Sequence, residues 1–199
     1  MGFFDRLPPA PVPEPEPPTP PRPRWAKPEA ALAGVVAEEL ILAHTEGAAV
    51  AVTGLMAYPN GFEFTLRALL RREDRRGRLF DLGLRHGFLP DEPLPPEFLR
   101  LGVQFADGDV ATNLGRPSFP SPDSEPTGPV LLSDGGGGGG RRYDMRYWLW
   151  PLPPPGPVSF VCEWPARGIP ESRAELDAQL ILRAAERAIH LWPEDEASD

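Results

Sequence analysis

A chain of 199 residues with 29 Pro, 20 Gly and a formal net charge of −9 can build one large domain with a real core, and its Pro and Gly are clustered, not periodic, which excludes a collagen-like chain. The acidic balance, with Lys27 the only lysine among many arginines, repels phosphate backbones at long range and argues against nucleic acid or an anionic membrane as partner. The single cysteine, Cys162, excludes an intramolecular disulfide and a cysteine zinc cluster; with no run long enough to span a bilayer, no secretory signal, and Arg6 where a myristoylation motif needs Ser or Thr, a cytoplasmic setting is expected. The Arg-for-Lys skew, with Asn60 and Asn113 the only asparagines, points to GC-rich coding DNA in a bacterium.

Taken in chain order, residues 1–28 read as a disordered proline-rich arm, because Pro at 8, 9, 11, 13, 15, 17, 18, 20, 21 and 23 removes most backbone donors and favours solvated polyproline II. Pro17, Pro20 and Arg22 match a P-x-x-P-x-R docking spacing, although a dense proline tract yields that match by chance and a plain tether is preferred. One domain follows from 29 to 193, with an acidic tail at 194–199. Residues 35–44 are compatible with a strand or a helix end, strand being favoured. Residues 48–57, the turn signal Tyr58-Pro59-Asn60-Gly61 and the alternation of Phe62, Phe64, Leu66, Ala68 and Leu70 against Glu63, Thr65, Arg67 and Arg71 predict a β-hairpin.

A second hairpin is predicted from Leu101, Val103 and Phe105 through Asp107-Gly108 to Val110–Leu114, and a third strand pair at 143–150 and 158–164. In the first of those strands Tyr143, Met145, Tyr147 and Leu149 alternate with Asp144, Arg146, Trp148 and Trp150. The one predicted helix begins at a capping box, Ser172 and Glu175, and carries Leu176, Leu180, Ile181, Ala184, Ala188 and Leu191 on its apolar stripe. The segments 85–99 and 115–142 read as loops, and the six glycines 135–140 as a mobile linker. The fold class expected is mainly β, an antiparallel β-sandwich of about seven strands with one C-terminal α-helix.

The string Arg-Tyr-Asp-Met-Arg-Tyr-Trp-Leu-Trp-Pro-Leu-Pro-Pro-Pro-Gly-Pro-Val-Ser-Phe-Val-Cys-Glu-Trp-Pro at 142–165, together with Tyr-Pro-Asn-Gly-Phe-Glu-Phe-Thr-Leu at 58–66, resembles an uncharacterised family of actinobacterial proteins. The resemblance runs from about Val35 to Pro193. It implies a single domain and brings no activity, cofactor or catalytic residue with it.

Chemistry-bearing groups are sparse. The oligoglycine before Arg141 and Arg142 lacks the G-K-[ST] of a phosphate loop and is followed by a predicted strand, not a helix. His44, His86 and His190 show no metal-ligand spacing, and His190 is expected to complement the helix dipole or Glu186. Asp107-Gly108-Asp109 lacks the full calcium loop and reads as a solvated hairpin tip. Cys162 alternates with Val158, Phe160 and Trp164 and reads as a small buried hydrophobe. Ser133 and the other serines lack a nucleophile elbow, so no metal, cofactor or covalent catalyst is expected.

The remaining unusual feature is an aromatic and basic face, with Arg142, Arg146, Trp148 and Trp150 as a possible interaction surface; the competing reading, which puts the Trp pair in the core beneath the C-terminal helix, is preferred because helix and strand must each bury a face. The leading functional expectation is a non-enzymatic protein-interaction or scaffold module with an unidentified protein partner. A small-ligand or carbohydrate binder using Trp148, Trp150 and Arg146 is second, and a hydrolase with dispersed residues third.

Overall fold

The computed structural model describes residues 23–73, 94–114 and 126–192. The arm through residue 22 with its Pro17, Pro20 and Arg22 motif, His86 and the acidic tail lie outside the described residues. Among the described residues twelve strands form in chain order: β1 (Ala31–Leu32), β2 (Gly34–Val35), β3 (Leu40–His44), β4 (Ala48–Ala57), β5 (Phe62–Leu70), β6 (Arg100–Gln104), β7 (Val110–Thr112), β8 (Val130–Gly139), β9 (Arg142–Trp150), β10 (Pro157–Trp164), β11 (Ile169–Asp177) and β12 (Ile189–His190). A 3₁₀ turn at Pro165–Arg167 and one helix, α1 (Ala178–Ala185), are the other elements among the described residues. The protein is mainly β, and every strand pairing among the described residues is antiparallel.

The strands form a six-stranded sheet in the order β2-β4-β5-β9-β8 with β3 also on β4, a four-stranded sheet β11-β10-β6-β7, and the ribbon β1-β12. The alternation in β5 explains the larger sheet. Phe62, Phe64, Leu66 and Ala68 are buried on one side, as are Leu149, Tyr147, Met145 and Tyr143 of β9 directly across from them. In β4 a bulge between Thr53 and Met56 adds one residue, so that Val50 and Val52 before it and Leu55 and Ala57 after it all face inward. The smaller sheet contributes Leu101, Val103, Val158, Phe160, Cys162 and Trp164 to the same core. Phe64 of one sheet meets Phe160 of the other edge-on, with ring centroids 5.2 Å apart; such a pair adds about 0.5–1.5 kcal/mol beyond its area.

The first two predicted hairpins are present: Tyr58 N–H donates to the Gly61 carbonyl at 2.8 Å, and Phe105 N–H to that of Asp109 at 2.9 Å. The third pair is corrected. Both its strands exist, but β9 pairs with β5 and β8 while β10 pairs with β6 and β11. The proline-rich link 151–155 carries the chain between the two sheets instead of folding it back as a hairpin.

The predicted C-terminal helix is also corrected. Residues 169–177 extend the smaller sheet as β11, with Ser172 opposite Cys162 and Glu175 opposite Ser159. Ser172 Oγ donates to the Pro170 carbonyl, and Glu175 accepts from Ser159 Oγ at 3.1 Å. The cap of α1 is Asp177, whose carboxylate accepts from Gln179 N–H at 2.9 Å. Pairing with β10 outweighs the local capping signal in an Arg- and Glu-rich stretch that suits a charged sheet edge. Ala178, Ile181 and Ala184 face the core, and Gly34 lets the helix backbone close on β2: a Cβ there would stand 1.8 Å from the Ala184 carbonyl oxygen. Past α1 the chain returns as β12, which sets His190 opposite Ala31 and not at a helix terminus.

The glycine tract is the third correction. Gly135–Gly139 belong to β8, paired with β9 from Gly139 opposite Arg142 back to Gly136 opposite Met145. A linker composition becomes a strand here because β9 offers a continuous ladder and a tight turn joins the two, with Gly140 at φ +60°.

Candidate functional site

The outer face of the six-stranded sheet collects the polar side chains that the alternation sends away from the core. At one end, Glu63 of β5 stands between Met56 of β4 and Trp148 of β9. Glu63 is 7 % exposed and is the one buried charged residue among those described. Lys27 makes an ion pair with its carboxylate and also reaches Asp134 of β8 at 3.3 Å. The Tyr58 hydroxyl donates to Glu63 Oε1 at 3.1 Å, and the Lys27 ammonium lies 5.3 Å from the Tyr58 ring centre.

Burial alone would lower the Lys27 pKa, but the hydrogen bond and charge of Glu63 outweigh it and hold the ammonium above its ordinary 10.5. Burial raises Tyr58 above its ordinary 10.0, and the neighbouring Glu63 charge adds to that. Both groups therefore keep their protons at neutral pH, and the Lys27 ammonium pairs with the Glu63 carboxylate. The trio fastens the segment preceding β1 onto the sheet.

That segment covers Trp148. The Trp148 ring is 2 % exposed, packs edge-on against Tyr58 with centroids 5.6 Å apart, and donates from Nε1 to the Trp25 carbonyl at 2.8 Å. Asn60 Nδ2 donates to the carbonyls of Arg24 and Ala26, at 2.7 and 2.9 Å. Trp25 is itself buried, so the last residues assigned to a disordered arm, 23–28, belong to the folded body.

The four residues expected to share a surface thus part company. Trp148 is core, which sets aside the possible surface role in favour of the preferred buried reading, but its cover is corrected: it lies beneath the N-terminal segment and not beneath α1. Trp150 is partly buried against the same Ala31, Tyr58 and Trp148 cluster. Arg142 is tied to Asp144, which Arg67 also grips through Nε at 3.0 Å and Nη2 at 3.2 Å. Burial pushes the Asp144 carboxyl up, and the hydrogen bonds from Arg142 and Arg67 more than reverse that, holding it below its ordinary 3.8. Only Arg146 is an exposed member with no such clamp described.

Of the other candidates, Cys162 is buried, and burial pushes its thiol up to about 11, far from a reactive thiolate. Asp107 and Asp109 sit at the exposed β6–β7 tip, with Asp107 Oδ1 accepting from the Asp109 N–H. Among the described residues no three His, Cys, Asp or Glu side chains gather as a metal site, and no helix is long and apolar enough to cross a membrane.

A surface that sequence reasoning missed lies on the ribbon. Leu32 of β1 is directly opposite Ile189 of β12, the Leu191 N–H donates to the Ala30 carbonyl, and the Arg187 guanidinium to that of Val35. Leu32, Val35, Ile189, Leu191 and Trp192 are 45–65 % exposed. Leu191 had been placed in the core stripe of a longer helix; once that helix stops at Ala185, the same apolar side chain points out. No protein-family model, no curated protein and no solved structure matches the chain.

Proposed function

We propose that this chain is a protein-interaction module: a β-sandwich that presents the β1–β12 ribbon to an apolar surface on a protein partner. The observation that carries the reading is a set of exposed large side chains, Leu32 and Ile189 opposite each other on the β1–β12 ribbon, with Val35 on the neighbouring β2 and Leu191 and Trp192 just past β12. Scattered exposed hydrophobes are ordinary, whereas several brought together mark interaction sites, and a Trp at the edge of such a patch supplies much contact area at low rotamer cost. The actinobacterial resemblance and a cytoplasmic setting fit this reading, the latter supported by a single thiol kept buried and unpaired. The ligand-binding alternative loses its main support because Trp148 is covered.

Site-specific photo-crosslinking in the native host tests the proposal. A photoreactive residue at Ile189 or Leu32 is expected to give an adduct with a discrete second polypeptide, and one at Glu171 on β11 is not. Leu32→Ser should abolish the Ile189 adduct while changing stability by less than about 1 kcal/mol, as exposed positions do. Adducts of equal yield at all three positions, or none at the ribbon, would overturn it.

A further inference from the structure

Among the described residues β8 is the last strand of the larger sheet, and it is an unusual one. It runs ten residues, from Val130 to Gly139, and its second half has no side chains. Exposed edges of this length are normally blunted with charge or proline, because their free N–H and C=O groups recruit other strands. The β8–β9 turn is a two-residue loop, Gly140-Arg141, with positive φ at Gly140 only, the glycine-first hairpin. In such a hairpin the closing pair, Gly139 and Arg142, exchanges both backbone bonds, and the pairs then alternate. Gly137 therefore bonds Asp144, while Gly136 and Gly138 turn their N–H and C=O groups to the free edge.

We propose that the occupant of this edge is the chain's own segment Pro9–Pro17, lying antiparallel to β8. Its prolines fall at 9, 11, 13, 15 and 17, alternating with Ala10, Val12, Glu14 and Glu16. An extended strand shows the backbone groups of every second residue to its neighbour, so this spacing removes donors from one edge only. The non-proline residues bond β8; the prolines face solvent, as they do on natural edge strands, and end the sheet. Glycine at 135–139 leaves both faces of β8 bare, giving room to the side chains and rings of the incoming strand.

Connection and reach agree with this. The segment after the arm is anchored where the Trp25 carbonyl meets Trp148, the cross-strand neighbour of Leu132 on β8. From Leu132 to Gly138 is roughly 20 Å at the usual strand rise, and the chain from Pro23 back to Val12 spans about 34 Å in polyproline II. Because the later end of the arm is held near Leu132, earlier residues run toward Gly139, which makes the pairing antiparallel.

Amide hydrogen exchange of the full chain decides it. Gly136 and Gly138 should be protected, and replacing Val12, Glu14 and Glu16 together by proline should speed their exchange about tenfold or more while β5 amides and the melting temperature stay unchanged. Replacing Pro11, Pro13 and Pro15 by alanine should leave the protection in place. Rapid exchange in the unaltered chain, or equal rates in the Val12→Pro, Glu14→Pro, Glu16→Pro variant, would overturn the proposal. Protection that persists in that variant and rises with protein concentration would assign the edge to a second copy instead.

Discussion

The two faces of the six-stranded sheet are buried by different means. On the inner face β5 and β9 meet the smaller sheet mainly through rings and aliphatic side chains, Phe64 on Phe160 and Tyr147 stacked on Phe64 at 5.6 Å, with one polar contact from Asn113 Nδ2 to the Tyr147 hydroxyl at 3.4 Å. On the outer face the cover is a short irregular segment, residues 25–30, which brings one lysine and a backbone carbonyl that, with Tyr58 of the β4–β5 turn, satisfy Glu63 and Trp148. A strand-to-strand interface can hide apolar area with few polar obligations, whereas a loop placed on a sheet must give its own backbone groups and those beneath it partners. The outer cover is therefore held by specific pairs, and the inner one by area.

The sharpest test removes a ring from each side. Phe160→Ala should cost on the order of 3–5 kcal/mol in chemical denaturation, the range for large-to-small changes in a sealed core. Trp148→Ala should fall near the lower end, about 3 kcal/mol, since the thin cover can collapse into the space. The informative control is Trp148→Phe: it keeps most of the area, loses the bond to the Trp25 carbonyl, and should cost about 1 kcal/mol. Equal losses for Phe160→Ala and Trp148→Phe would break the distinction between the faces.

The glycine strand separates the same two principles on a smaller scale. A Cβ at Gly138 would stand 2.1 Å from the Arg142 carbonyl oxygen, and one at Gly136 2.6 Å from that of Asp144, while at Gly137 it meets nothing within 4 Å. Gly138→Ala should thus cost about 1–3 kcal/mol by forcing β8 off β9, and Gly137→Ala less than about 0.5 kcal/mol. Matching losses at 137 and 138 would show the tract behaving as a linker.

The smallest effect is electrostatic. With its folded pKa raised, Lys27 contributes stability that is complete below its ordinary 10.5 and is lost as pH rises through the folded value. Tyr58, also raised, keeps its proton in the fold above the pH at which the unfolded chain gives it up, so it too loses stability on the alkaline side. Tyr147, pushed up to about 12 by burial, acts in the same sense from the inner face. Melting temperature should fall from about pH 10 upward, and Lys27→Met should make that fall shallower without removing it. An unchanged alkaline slope would show that the outer clasp carries no part of it.

How much of this was legible depends on the range of the interaction. The β4–β5 and β6–β7 hairpins were readable because period-two alternation and a turn signal sit within a few residues of each other. The burial of Cys162 and the solvated Asp107–Asp109 tip followed from the same local pattern. Ser172 and Glu175 misled for the converse reason: a capping spacing is a local preference worth about 1 kcal/mol, and the full antiparallel ladder that β10 offers to residues 169–177 overrides it. The glycines were misread because composition reports what an isolated segment prefers, not what a neighbouring strand imposes. Lys27 and Glu63 could have been connected only through a signal too weak to use, the single lysine of the chain and a carboxylate on a strand dominated by apolar residues.

By itself, then, the sequence determined that the chain is mainly β, where its tight turns fall and which side of β5 and β9 is apolar, since these rest on steric and hydrophobic periodicities carried by adjacent residues. Tertiary structure decided that β9 and β10 part into different sheets, that a glycine run becomes an edge strand, that Trp148 is covered from the N-terminal side, and that Leu32 and Ile189 stand together in the open. Each of those outcomes joins residues far apart in the chain, Trp25 with Trp148 or Leu32 with Ile189, and its free energy exists only once both partners are in place.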